Sequence, residues 1–150
     1  MQIPIIGKFF LLLLTLFLMS CDKTQEAKQT TFEKYGSPYG IPWEKDLSTA
    51  FSKAKSENKI VMVMAVSQGC RWCKKMKKET LSNPEIAKKL EKYVLVMADR
   101  ETENEKKQLP PFKHVPIIFF MTHEKETLDN LRGYFSPKDF LEYLNYFEEE

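Results

Sequence analysis

Residues 59–67 (KIVMVMAVS) form an almost unbroken apolar run of strand length, and just beyond it stand two cysteines three residues apart, Cys70 and Cys73. A strand with no polar face has to be covered on both sides, which excludes a half-wet sheet and calls for helices above and below it. Two further runs follow the pattern: 93–98 (YVLVMA), and 115–122 (VPIIFFMT), which opens with Pro116.

Helical signals separate these runs. In 46–58, Leu47, Ala50, Phe51 and Ala54 fall at i, i+3, i+4 and i+7, with Asp46 placed to cap the helix start. A second helix is expected from near Cys70 to about Glu79. Ser82-Asn83-Pro84-Glu85 reads as a third start, with cap residues, proline and an early acid, and Ile86 and Leu90 then face the core. The charged stretch 100–108, ended by Pro110-Pro111, reads as a loop or short helix. After a turn at 123–126, residues 127–134 suit an edge strand, and Ser136-Pro137-Lys138-Asp139 opens a last helix with Phe140, Leu141, Leu144 and Phe147 inward. Helical crossovers imply a parallel core, and the closing strand–turn–strand–helix adds an antiparallel edge. The expected class is α/β, a central mixed sheet with helices on both faces.

A length of 150 residues allows one domain. With 11 Phe, 6 Tyr and 2 Trp the chain can build a core, so disorder is excluded. Lys+Arg total 23 against 21 Asp+Glu, a formal charge of +2, far from the field of a nucleic-acid binder. The Lys74-Lys75 and Lys77-Lys78 pairs read as a solvated helix face, and no nucleic-acid partner is expected. Met62, Met64 and Met97 sit in strand runs as core packing. No phosphate loop, nucleotide fingerprint or Ser/His/Asp set is evident.

The amino-terminal segment reads as an address. Residues 9–19 (FFLLLLTLFLM) are apolar except Thr15 and follow Lys8. Eleven residues suit a signal-peptide core better than a membrane span, which needs about 20. Leu18-Met19-Ser20-Cys21 resembles a bacterial lipobox, which implies cleavage before Cys21 and a lipid on that sulfur. The expected division is a signal peptide at 1–20, a polar, flexible tether at 21–38, and a folded domain at 39–150. Removing 20 of the 150 residues leaves 130, and losing Lys8 from 23 basic residues leaves 22 against 21 acids, or +1. The expected location is the outer side of the cytoplasmic membrane or the periplasm, on a lipid anchor.

Three cysteines are too few for a disulfide scaffold, but a Cys-x-x-Cys pair where a strand meets a helix has its own logic. At a helix start, unpaired N–H groups and the positive dipole end favour a thiolate. The second cysteine lies nearly one turn on, so the sulfurs can meet. A free thiol ionises with a pKa of about 8.5, which such settings lower to roughly 3.5–7.5. Arg71, Lys74 and Lys75 push the same way.

From about Trp43 to Phe147 the sequence resembles the thioredoxin superfamily. The marks are the buried strand before Cys70-Arg71-Trp72-Cys73, the Val115-Pro116 step opening a later strand, and Arg132-Gly133-Tyr134 closing the edge strand. GCRWCKKMKKETLSNPEI looks most like exported thioredoxin-like domains, and the C-terminal domain of the transmembrane thiol reductase DsbD is similar. The resemblance implies a thioredoxin-like fold and a cis Pro116 packed, with Val115, against the cysteines. It also implies thiol–disulfide exchange with Cys70 as nucleophile and Cys73 as resolving thiol, flanked by Arg71 and Trp72. Expected partners are protein thiols or disulfides. The reductant direction is favoured over the oxidant, with a membrane thiol relay as electron donor, and no cofactor is expected.

The chain departs from thioredoxin itself in having Arg71-Trp72 where that protein has Gly-Pro, and Gly69 where it has Trp. It also has Met64 in place of a buried acid six residues before the first cysteine. Two rival readings stand beside the redox one. A metal- or haem-related site would need more ligands than the cysteine pair, and the remaining candidates, His114 and His123, are nine residues apart across a strand. A docking module without turnover would use Tyr39, Trp43 and Trp72, of which Trp43 is otherwise a core residue.

Overall fold

A computed structural model describes Pro38 and residues 40–149. Residues 1–37, which hold the signal region, Cys21 and all of the tether but Pro38, lie outside the described residues, as does Tyr39. The elements run β1 (Trp43–Glu44), α1 (Leu47–Glu57), β2 (Val61–Val66), α2 (Arg71–Lys75) continued by a π-helical turn (Met76–Thr80), α3 (Pro84–Leu90), β3 (Val94–Asp99), α4 (Glu103–Lys106), β4 (Ile117–Met121), β5 (Thr127–Arg132) and α5 (Pro137–Glu149).

The five strands form one mixed sheet in the order β1-β3-β2-β4-β5. β1, β3 and β2 are parallel, β4 is antiparallel to β2, and β5 is antiparallel to β4. β2 is central, and all six of its residues are buried. The closing β4–turn–β5 pair supplies the expected antiparallel edge, and β4 joins the sheet directly against the central β2. The short edge strand β1, pairing Trp43 with Leu95 and Glu44 with Val96, has no counterpart in the sequence-based expectation. Two residues give no periodicity to read; only the partner strand makes them a strand.

Alternation along each strand sends side chains to two cores. On one face Met62, Met64, Val66, Leu95, Met97, Ile118 and Phe120 meet Met76, Ile86, Leu90, Phe140 and Leu144 from α2 and its π turn, α3 and α5. On the other Val61, Val63, Ala65, Val96, Ala98 and Phe119 meet Leu47, Ala50, Phe51 and Ala54 of α1. The helix ends match their sequence signals. Asp46 accepts from the Thr49 N–H at 2.7 Å, Asn58 takes the left-handed conformation that closes α1, and Asn83 accepts from the Glu85 and Ile86 N–H groups. At the start of α5 the Ser136 hydroxyl accepts from the Asp139 N–H and donates to the Asp139 carboxylate. Lys89 and Lys92 both reach Glu148, at 2.9 and 2.6 Å, which fixes the end of α5 beside α3. Burial together with Glu148 pushes the Tyr93 hydroxyl up to about 12.

Phe120 is the hub of the first core. It is fully buried, with the rings of Phe147, Tyr93 and Tyr143 at 4.7, 5.5 and 5.5 Å. Phe120→Ala should lower the unfolding free energy by about 3–5 kcal/mol, read from the urea midpoint at unchanged slope. A loss below about 1 kcal/mol would contradict this role.

Candidate active site

The cysteine pair sits where β2 runs out. Ser67 is buried, Gln68 and Gly69 turn outward, and Gly69 has φ +74°, a left-handed conformation that side chains resist. The chain is thereby aimed so that Cys70 becomes the cap residue of α2. Its Sγ accepts from the Cys73 N–H at 3.0 Å, in the place where Ser or Asp oxygen usually stands. The same N–H would serve a thiolate once the pair is reduced, so the cap and the reactive group are one atom.

Cys70 and Cys73 are joined as a disulfide, with their Cα atoms 5.3 Å apart. Their surroundings differ. Cys73 is 3% exposed and packs in the first core with Met64 and Met76, whereas Cys70 is only partly buried. The Val115–Pro116 peptide bond is cis, Pro116 is buried, and the Val115 carbonyl oxygen lies 3.8 Å from the Cys70 Sγ. Both residues precede the ladder of β4, which begins at Ile117, so the strand starts two residues later than the run of apolar residues suggests. The tertiary fold thus brings Val115 and Pro116 to the cysteines across 45 residues of sequence.

The helix after Cys70 does not stay α-helical to Glu79. It widens into the π turn at Met76–Thr80, and Leu81 N–H bonds back to the Met76 carbonyl. Thr80, fully buried there, donates to the Phe135 carbonyl at 2.6 Å and ties this turn to the segment after β5. That tie sets Tyr134 beside the active-site helix.

Trp72, 46% exposed, lies with its ring 5.7 Å from that of Tyr134. Lys75 Nζ stands over both rings, 5.4 Å from Trp72 and 4.6 Å from Tyr134, and Arg71 lies 5.3 Å over Trp72. Glu79 accepts from the Tyr134 hydroxyl at 2.9 Å and pairs with Lys75 at 3.8 Å. The bond to Glu79 is the main reason the Tyr134 hydroxyl is held above its ordinary value. Burial, with Lys74 adding repulsion, holds the Lys77 ammonium below its own. Sequence reading singled out Arg71 and Trp72 but not Lys75, Glu79 or Tyr134 as their partners. The four-residue spacing of Lys75 and Glu79 was the one local signal; Tyr134 is 62 residues from Trp72 and gave none.

No acid lies at Met64, which is fully buried in β2. Asp99, at the end of β3 in register with Val66, is the buried acid of the described core, with Oδ1 accepting from the Glu101 N–H. The sequence reading did not single it out. His114 is exposed before β4 and His123 lies beyond its other end, so the strand separates them. Among the described residues no three His, Cys, Asp or Glu side chains converge as metal ligands. Of the aromatics considered for docking, Trp43 packs into the core and Trp72 remains at the surface.

A mixed sheet covered on both faces, a disulfide across a helix start and a cis proline beside it define a thioredoxin-like redox domain. Residues 47–148 match the family model of the thioredoxin-like domain, and the chain belongs to that family. The thiol:disulfide interchange protein DsbD of Vibrio cholerae is 27% identical over 139 residues, 88% of this chain and 22% of that protein. Mouse spermatogenesis-associated protein 20 is 41% identical over 61 residues, 40% of this chain and 7% of its own length. The chain thus spans less than a quarter of these relatives. Among solved structures, a thioredoxin from Thermus thermophilus superposes with a TM-score of 0.61 at 22% identity, covering 71% of this chain and 86% of that one. The reduced C-terminal domain of Neisseria meningitidis DsbD gives 0.55 at 21% identity, covering 67% and 92%. Both likenesses concern the fold.

The different burial of the two sulfurs predicts their labelling. After reduction, iodoacetamide near neutral pH should alkylate Cys70 well before Cys73, as read by peptide mapping. Equal labelling would contradict the difference in access described above.

Proposed function

We propose that the protein is a thiol–disulfide oxidoreductase of the cell envelope, acting as a reductant through Cys70 and Cys73. The observation that carries this reading is the pairing of a partly exposed, helix-capping Cys70 with a buried Cys73 in one disulfide. Membership of the thioredoxin-like family supports it.

The exchange needs only the two sulfurs. Reduced Cys70, as thiolate, attacks one sulfur of a substrate disulfide; a mixed disulfide forms and the other substrate sulfur leaves as a thiolate. Cys73 then attacks Cys70 Sγ, which re-forms the 70–73 bond and releases the second substrate thiolate. Two electrons pass to the substrate, whose thiolates take up two protons. The Cys73 N–H that bonds to Cys70 Sγ, the start of α2, and the cations Arg71 and Lys75 that follow in the sequence all favour the thiolate form of Cys70.

Cys73→Ser should leave Cys70 able to attack but unable to be released. Covalent complexes with partner proteins should then accumulate on non-reducing gels, and Cys70→Ser should yield none. Free turnover by a Cys70→Ser protein would end the redox reading. For the reductant direction, the 70–73 couple is expected closer to thioredoxin's about −270 mV than to the about −120 mV of the oxidant DsbA. A measured value at the oxidising end would reverse the assignment.

Re-reduction of the 70–73 bond needs a donor, and a membrane thiol relay supplies the chemistry. A lipid on Cys21 would hold the domain next to it. No helix among the described residues is long and apolar enough to cross a membrane. Cys21→Ser should move the protein from the membrane fraction to the soluble one; continued membrane association in that variant would remove the lipid anchor from the account.

A further inference from the structure

The surface around the disulfide carries charge that the domain itself does not neutralise. Arg71, Lys74, Lys75, Lys77 and Lys78 fall within the eight residues 71–78, which hold no acid, and Glu79 follows directly. Glu79 is already engaged by Lys75 and by the Tyr134 hydroxyl. Arg71, Lys74 and Lys78 are exposed, and among the described residues no ion pair holds them. They are spaced by three and four residues, which places neighbours on one side of a helix.

The same surface has an aromatic floor. Trp72 and Tyr134 come from different elements, yet they are held together by Lys75 above both rings and by the Glu79 bond. A large ring left 46% exposed between the two cysteines offers apolar contact to whatever approaches Cys70.

We propose that Arg71, Lys74 and Lys78, set about the Trp72–Tyr134 ring pair, form a docking face for an acidic polypeptide segment adjoining the partner's reacting cysteine. This rests on the redox reading above and extends it to partner choice. The face surrounds the sulfur that must stay reachable. An anionic bilayer seated on it would bury Cys70, whereas a redox partner has to present its own sulfur at this point. Complementary charge on that partner raises the encounter rate and orients the two sulfurs, and salt screens the effect.

The test compares three disulfide-bridged peptides of one sequence, flanked by Glu, by Gln or by Lys, reacting with the reduced protein. The measured quantity is the ratio of second-order rates, because a change in Cys70 reactivity cancels in it. At low ionic strength the Glu-flanked peptide should outpace the Lys-flanked one by about tenfold. The ratio should approach unity at about 1 M salt, where the Debye length is about 3 Å. It should invert in a Lys74→Glu/Lys78→Glu variant, whose fold is checked by circular dichroism. Trp72→Ala should slow all three peptides while leaving the Glu-to-Lys ratio in place.

Normal exchange with the Gln-flanked peptide but equal rates for the charged pair would overturn the docking face and leave the redox reading standing. So would an unchanged ratio in the charge-reversed variant, or equal peptide rates together with charge-dependent binding to phosphatidylglycerol vesicles. No exchange with any peptide or with a small neutral disulfide would overturn the redox reading, and this proposal with it.

Discussion

The structure depends on the burial of β2 on both of its faces. Its six residues lose all contact with water between β3 and β4 and between the helices on either side. Each Val or Met side chain so covered contributes about 1.5–3 kcal/mol. That burial fixes where the strand ends, and the end of the strand fixes the active site. With β2 anchored, the turn at Gly69 has one direction to take, and Cys70 arrives at a helix start with its sulfur on a backbone N–H.

The two cysteines owe their different characters to that placement. Cys73 continues the apolar face of the sheet and belongs to the core, while Cys70 stands at its rim beside Val115 and Pro116. One sulfur is held back and the other presented, a division of labour suited to an exchange in two steps. The cationic helix that follows acts on the same atom. In the proposed mechanism its charge favours a thiolate at Cys70, and in the proposed docking face the same helix selects the partner.

Much of this was legible in the chain before any tertiary information. Apolar runs marked β2, β3 and β4, and the caps at Asp46, Asn83 and Ser136 marked helix starts that the structure reproduces. These signals are local: strand burial and end-capping act on neighbouring residues. β1 was illegible because two residues carry no period, and so was the tie of the π turn to the segment after β5, because the Thr80–Phe135 bond spans 55 residues. The place of β4 against β2 was not specified for the same reason, since strand order follows from packing of whole elements.

By itself, the sequence determined that the chain would bury a strand, turn at a glycine and offer two cysteines at a helix start. It also determined the charge of that helix, because these are matters of residue type and short spacing. The tertiary structure alone decided which sulfur is shielded, that Val115 and Pro116 face Cys70, and that Tyr134 and Glu79 complete a surface with Trp72 and Lys75. Those relations join residues tens of positions apart, and only the packing of helices against one sheet brings them within contact.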